Sequence, residues 1–209
     1  MLSPKEMATL LFKTGCVQLN VKSPFTYASG LKGPIYCDNR LLLGQVEARQ
    51  QVVSSLVELV RNKKIEFEVV AGLATAGIPY AAWMATELAA PMLYIRSKKK
   101  GHGKGKQVEG PFNLGTRALI VEDLVNQASS MEEATLGARS EGLIISDAIC
   151  LVDYQMKRAR ERLSQHEIKL HALTNLTAIM QAALEIGALA ESECDLLQAW
   201  QRDPMHWLN

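Results

Sequence analysis

Two adjacent carboxylates, Glu122 and Asp123, close the apolar run Arg117-Ala-Leu-Ile-Val-Glu122 and lead into Leu124-Val-Asn-Gln-Ala-Ser-Ser130. Side by side they can accept hydrogen bonds from two neighbouring hydroxyls, such as those of a ribose. The loop behind them feeds a helical pattern, and a helix start offers free N–H groups and the positive end of a dipole to a phosphate. The plainer alternative, a strand end and a helix cap, stays open on this segment alone. A second concentration of chemistry is Arg96-Ser-Lys-Lys-Lys-Gly-His-Gly-Lys-Gly-Lys106, with six Lys/Arg and no acidic residue. The whole chain carries +1, so the remainder stands at −5 and the basic charge is local. Gly101, Gly103 and Gly105 give the backbone freedom, which predicts a mobile cationic loop able to close over a phosphate-rich substrate and exclude water. A solvated charge run is the bland alternative. RNA binding is a third, weakened because no aromatic is interleaved for base stacking. The third segment, Gly72-Leu-Ala-Thr-Ala-Gly-Ile-Pro79, is a small-residue turn of the kind that lets backbone approach a pyrophosphate.

These segments need a frame. Ser3, Pro4 and Glu6 write out a helix start, and Gly15 its end. Turns and short strands are expected over 23–40, where Gly, Pro and Ser gather. Apolar spacing predicts a helix over 46–60. Strands are then expected over 67–73, 92–95, 117–122 and 144–152, alternating with helices over 78–89, 130–140 and 155–164. A helical tail is expected from Asn175 to about Trp200. Near-continuous apolar strands alternating with helices argue for α/β architecture with a mostly parallel sheet covered on both faces. In such sheets ligands sit beyond the carboxyl ends of the strands, where all three segments fall.

Composition narrows the partners. With 48% hydrophobic and 22% charged residues the chain is neither disordered nor fibrous. Near-neutral net charge names no nucleic acid. The four cysteines, Cys16, Cys37, Cys150 and Cys194, lie far apart without a C-x-x-C pair, which argues against zinc and disulfides and fits a reducing cytoplasm. Lys5, Glu6 and Lys13 interrupt the amino-terminal apolar stretch, so no signal peptide is expected. No apolar run reaches the ~18 residues of a membrane helix.

In order along the chain, Phe25-Thr-Tyr-Ala-Ser-Gly-Leu-Lys-Gly-Pro-Ile-Tyr-Cys-Asp-Asn-Arg40, Ala71–Pro79, Tyr94–Gly110 and Val121-Glu-Asp-Leu-Val125 resemble the orotate phosphoribosyltransferases, a branch of the type I phosphoribosyltransferases. The resemblance runs over nearly the whole chain and is strongest from Phe25 to Val125. It implies the type I phosphoribosyltransferase fold with a small N-terminal hood: one domain over 1–209, with helix and hood in 1–45, an α/β core in 46–175 and C-terminal helices in 176–209. It implies transfer of phosphoribosyl from phosphoribosyl pyrophosphate (PRPP) to orotate, giving orotidine 5′-monophosphate and pyrophosphate, with Mg2+ on the pyrophosphate and ribose hydroxyls. It also implies a homodimer in which each lid loop reaches its neighbour's site. Carried over by position, Arg96, Lys100 and His102 contact the leaving pyrophosphate, and Lys100, His102 and Asp123 are the catalytic set. Glu122 and Asp123 hold the ribose hydroxyls, and Leu124, Val125, Asn126, Gln127, Ala128, Ser129 and Ser130 form the phosphate loop. Thr75 lines the pyrophosphate side, and Tyr36, Cys37 and Tyr154 lie toward orotate.

The chain departs from the family pattern at that loop. Where the family reads Glu-Asp, two apolar residues, then Ser/Thr-Thr-Gly-Gly-Ser, this chain has Asn126-Gln127-Ala128-Ser129-Ser130. Two hydroxyl donors become amides and both glycines gain a Cβ, which would intrude or demand an unfavourable φ. Losing ~2–4 kcal/mol of phosphate binding corresponds to a roughly 30- to 1,000-fold fall in PRPP affinity. Tyr154 stands where many relatives place an arginine. A working transferase with an altered cradle is therefore one expectation, and a catalytically impaired paralogue acting as a ligand-binding or regulatory subunit is the other.

Overall fold

The computed structural model describes residues 1–27, 30–97 and 106–207. Its elements run α1 (Pro4–Lys13), β1 (Val17–Leu19), β2 (Phe25–Thr26), β3 (Lys32–Gly33), β4 (Ile35–Cys37), a 3-10 turn (Asn39–Gly44) and α2 (Val46–Lys63). They continue with β5 (Val69–Leu73), α3 (Gly77–Leu88), β6 (Met92–Ile95), β7 (Val108–Glu109), β8 (Ala118–Val125), α4 (Ser129–Ser140) and β9 (Asp147–Asp153). The last are α5 (Lys157–Gln165), β10 (Lys169–Asn175), α6 (Leu176–Glu185) and α7 (Glu191–Arg202).

Six strands form one sheet in the order β10-β9-β8-β5-β6-β7, parallel except for β7, which returns antiparallel to β6. Every residue of β5 is buried, as expected of a central parallel strand covered on both faces. Two small antiparallel pairs, β1 with β4 and β2 with β3, lie before the sheet in sequence. The capping box at α1 is present, with Ser3 accepting from Glu6 N–H and the Glu6 side chain accepting from Ser3 N–H.

Two expectations shift, and the expected C-terminal helices gain their bounds. The strand expected over 117–122 runs on to Val125, because Leu124 and Val125 pair with Val152 and Asp153 of β9. β10 falls where no element was expected. It is an edge strand of mixed polar and apolar residues, parallel to β9, and His171 on it meets Asp147 at 2.8 Å. The tail is two helices, split at Gly187, whose φ of +71° favours glycine. Among the described residues no helix is long and apolar enough to cross a membrane.

The register creates the site. β5 stays beside β8 only as far as Gly72 opposite Val121, while β8 continues with β9 as its partner. Glu122–Val125 therefore project past the neighbouring strand, and a crevice opens there.

Candidate functional site

That crevice is a cleft of about 380 Å³ lined by Thr75, Ala76 and the run from Glu122 through Met131. Its two walls approach because Gly77 has no side chain. A Cβ on Gly77 would lie 2.2 Å from the carbonyl oxygen of Val121, and one on Gly72 would lie 2.8 Å from Ile78 Cα. The start of α3 thus presses on the end of β8, and Thr75 and Ala76 share the cleft with the carboxylates.

Glu122 and Asp123 are half-buried. The Asp123 N–H donates to Glu122 Oε1 at 2.9 Å. Burial, and then the neighbouring Asp123 carboxyl, hold the Glu122 carboxyl well above the usual carboxylate range. Side by side, the Glu122 and Asp123 carboxyls present several oxygens at the strand end, which matches two vicinal hydroxyls. The backbone under them is fixed by groups that sequence reasoning missed. Asn39, fully buried, donates Nδ2 to the Asp123 carbonyl at 3.0 Å, and the Tyr80 hydroxyl donates to the Asn39 carbonyl at 2.7 Å. Asn39 sits within the segment that carries the family resemblance; nothing in the sequence pointed to Tyr80.

The loop after β8 reaches α4 through Ala128, at φ +59° and ψ 12°. The expected conflict between a Cβ and the loop's backbone is therefore met at Ala128, which adopts the left-handed conformation. Ser129 already belongs to α4, so the second glycine position needs no positive φ. Ser129 and Ser130 open the helix, and amides at a helix start lack partners within it. Asn126 Oδ1 and Gln127 Oε1 are buried without a hydrogen-bond partner among the described residues.

The other expected site residues that the structure describes do not line this cleft. Tyr36 is 40% exposed, its ring 5.6 Å from that of Phe25. The Cys37 thiol faces Asn39 Oδ1 at 3.4 Å, and burial pushes its pKa up. Arg96 is paired through Nε with Glu109 Oε1 at 2.8 Å, its guanidinium 5.8 Å from the Tyr94 ring. Tyr154 does not line the cleft: its side chain is buried, with the ring edge-on to Trp200 at 5.7 Å. Lys100 and His102 lie outside the described residues.

Known proteins are similar to this chain in sequence and fold. The sequence pattern of the phosphoribosyl transferase domain matches residues 43–169. An orotate phosphoribosyltransferase of Coxiella burnetii is 41% identical over 202 residues, covering 97% of each chain. One from Enterococcus faecalis is 39% identical over 203 residues, again covering 97% of each. The crystal structure of orotate phosphoribosyltransferase from Aeropyrum pernix superposes with a TM-score of 0.75 at 30% identity, covering 88% of this chain and 99% of that one.

Proposed function

Because the chain belongs to the phosphoribosyltransferase family, we propose that it is an orotate phosphoribosyltransferase, a pentosyltransferase of pyrimidine synthesis. The observation that carries this is the cleft itself. A carboxylate pair on a projecting strand end, a loop delivering helix-start amides and the Thr75 turn lie within one crevice of about 380 Å³.

In the reaction, the bond from ribose C1 to the diphosphate oxygen breaks with its electron pair leaving on the diphosphate. A bond from an orotate ring nitrogen to C1 forms as that nitrogen's N–H bond breaks and its proton is released to solvent or to the departing diphosphate. Positive charge develops on the ribose and negative charge on the leaving group, so the protein's task is to aim donors at the latter. In this reading Glu122 and Asp123 hold the ribose hydroxyls, and residues 124–130 take the 5′-phosphate on their amides. Thr75 borders the diphosphate. Arg96, Lys100 and His102 supply cationic donors to it from the lid, with Lys100, His102 and Asp123 closest to the chemistry. Tyr36 and Cys37 lie toward the base, and Tyr154 acts on that side only through the packing it supports.

Among the described residues no cluster of three or more His, Cys, Asp or Glu side chains is placed to hold a metal ion. Magnesium would arrive on the diphosphate, with Glu122 and Asp123 as the oxygen donors at hand. When bound it supplies charge neutralisation on the leaving group.

A homodimer is part of the proposal. Leu41, Leu43 and Val46 expose 45%, 38% and 53% of their surface beside the segment that bears Tyr36, an apolar patch suited to a second copy. The test is product identification. Purified protein with PRPP, orotate and magnesium is expected to yield orotidine 5′-monophosphate and pyrophosphate in equal amounts. Absence of both products over hours at millimolar substrate refutes the assignment.

A further inference from the structure

Within the phosphate loop, the peptide joining Gln127 to Ala128 has the least intrinsic reason to hold its orientation. Its second residue sits at φ +59°, a conformation that side-chain-bearing residues avoid. Yet the peptide is gripped from outside the cleft. Arg162 of α5 donates Nη1 to the Gln127 carbonyl at 2.7 Å, although it does not line the cleft. The Nε of the same guanidinium lies 3.1 Å from Glu132 Oε2 on α4. The other oxygen of Glu132 lies 2.9 Å from His166 Nε2, and the His166 carbonyl accepts from Arg139 of α4 at 2.9 Å. Arg162, Glu132 and His166 are all half-buried, with side-chain exposures of 33%, 24% and 18%.

A trans peptide is planar, so its C=O and N–H point opposite ways. With the Gln127 carbonyl bonded to Arg162, the Ala128 N–H points away from that guanidinium, and Ala128 itself lines the cleft. Rotation of that peptide would present a carbonyl oxygen to an anion instead of a donor. We infer that Arg162 is a positioning residue. It holds the 127–128 peptide with its N–H facing the bound phosphate, and so keeps Ala128 in the left-handed conformation the loop requires. An arginine suits this work because its rigid fork serves the carbonyl and the Glu132 carboxylate from two of its nitrogens. The Glu132 and His166 side chains hold the guanidinium in place, and the Glu132 backbone N–H donates to the Ala128 carbonyl at 2.9 Å.

This inference rests on the phosphoribosyltransferase reading of the cleft. The test titrates magnesium–PRPP into wild type, Arg162→Met, Arg162→Lys and Ala128→Gly, and into the double variant carrying Arg162→Met with Ala128→Gly. Thermal midpoints and the KM values for PRPP and orotate are measured alongside. Arg162→Met is expected to raise the PRPP Kd and KM about 10- to 100-fold, the range for losing a charge-assisted hydrogen bond, with the orotate KM little changed. Arg162→Lys should recover part of the loss. Most diagnostically, the loss should shrink in the Ala128→Gly background, because glycine holds a positive φ without help. Should Arg162→Met fail to fold, Glu132→Gln, which keeps the arginine but loosens it, is expected to raise the PRPP Kd several-fold. Unchanged PRPP binding, equal losses for PRPP and orotate, or an undiminished loss in the Ala128→Gly background overturns the inference. Wild type that binds no PRPP refutes the function itself, and the inference falls with it.

Discussion

Gly77→Ala is the substitution by which the site's architecture stands or falls. The added Cβ would sit 2.2 Å from Val121 O, 3.1 Å from Val121 C and 3.2 Å from Glu122 Cα, against a floor near 3.0 Å for Cβ contacts. Relief therefore requires α3 and the end of β8 to separate by about 0.8 Å. The obstacle is backbone on both sides, so no side-chain rotation can absorb it. Overpacking of this kind costs about 1–3 kcal/mol of stability. The functional cost is larger in proportion, because the same contact sets Thr75 across from Glu122 and Asp123. A displacement near 1 Å in a positioned site costs on the order of 100-fold. The assay is urea unfolding alongside kcat/KM for PRPP. The control is Gly44→Ala, whose Cβ would meet nothing within 4 Å. Gly77→Ala is expected to lose about 2 kcal/mol and about 100-fold in kcat/KM, with the control close to wild type. A Gly77→Ala protein that matches the control in both readouts would refute the claim that this approach sets the cleft.

Three further outcomes are expected. Restoring Gln127→Thr, Ala128→Gly and Ser129→Gly together should strengthen PRPP binding by about 30-fold or more in calorimetry; no gain would mean the loop is built around a different ligand. The Glu122 carboxyl is raised in the folded state, so it favours folding below its unfolded pKa and that contribution is lost as pH rises through the folded value. Glu122→Gln should therefore gain stability relative to wild type as pH climbs from 5 to 8.5 in thermal melts, while binding PRPP more weakly; parallel pH profiles would contradict the raised carboxyl. Lys100→Ala should lower kcat by about 100-fold or more with the melting temperature unmoved, as for loss of a donor aimed at developing charge; wild-type turnover would remove Lys100 from the lid's role.

Much of this was legible in the residues because the relevant signals are local. Met92–Ile95 is a strand with the bounds its apolar run suggested, and the Ser3–Glu6 capping box closes as its spacing implied. The cleft lining from Glu122 to Ser130 follows from one strand–loop–helix segment, in which neighbours in sequence remain neighbours in space. What stayed hidden depends on tertiary contact. β10 has a mixed pattern, since an edge strand is only partly covered, and polar residues such as Lys169 and His171 break its apolar run. Asn39 reaches Asp123 across 84 residues, and Tyr80 reaches Asn39 across 41, distances at which spacing carries no information. Tyr154 was placed by its position in a motif, but burial against Trp200 decides where its ring goes. Ala128 shows the reverse case. The sequence flagged a missing glycine, and the backbone keeps the glycine-like conformation with an arginine on the adjoining carbonyl.

The central claim is that Glu122, Asp123 and the 126–130 loop form a working PRPP site. Its most direct test is calorimetric titration of PRPP in magnesium into the purified protein, with orotate's ultraviolet absorbance then followed in the same samples. Saturable binding followed by loss of orotate absorbance is the result this account predicts. No heat of binding and no orotate consumed at millimolar PRPP would contradict it.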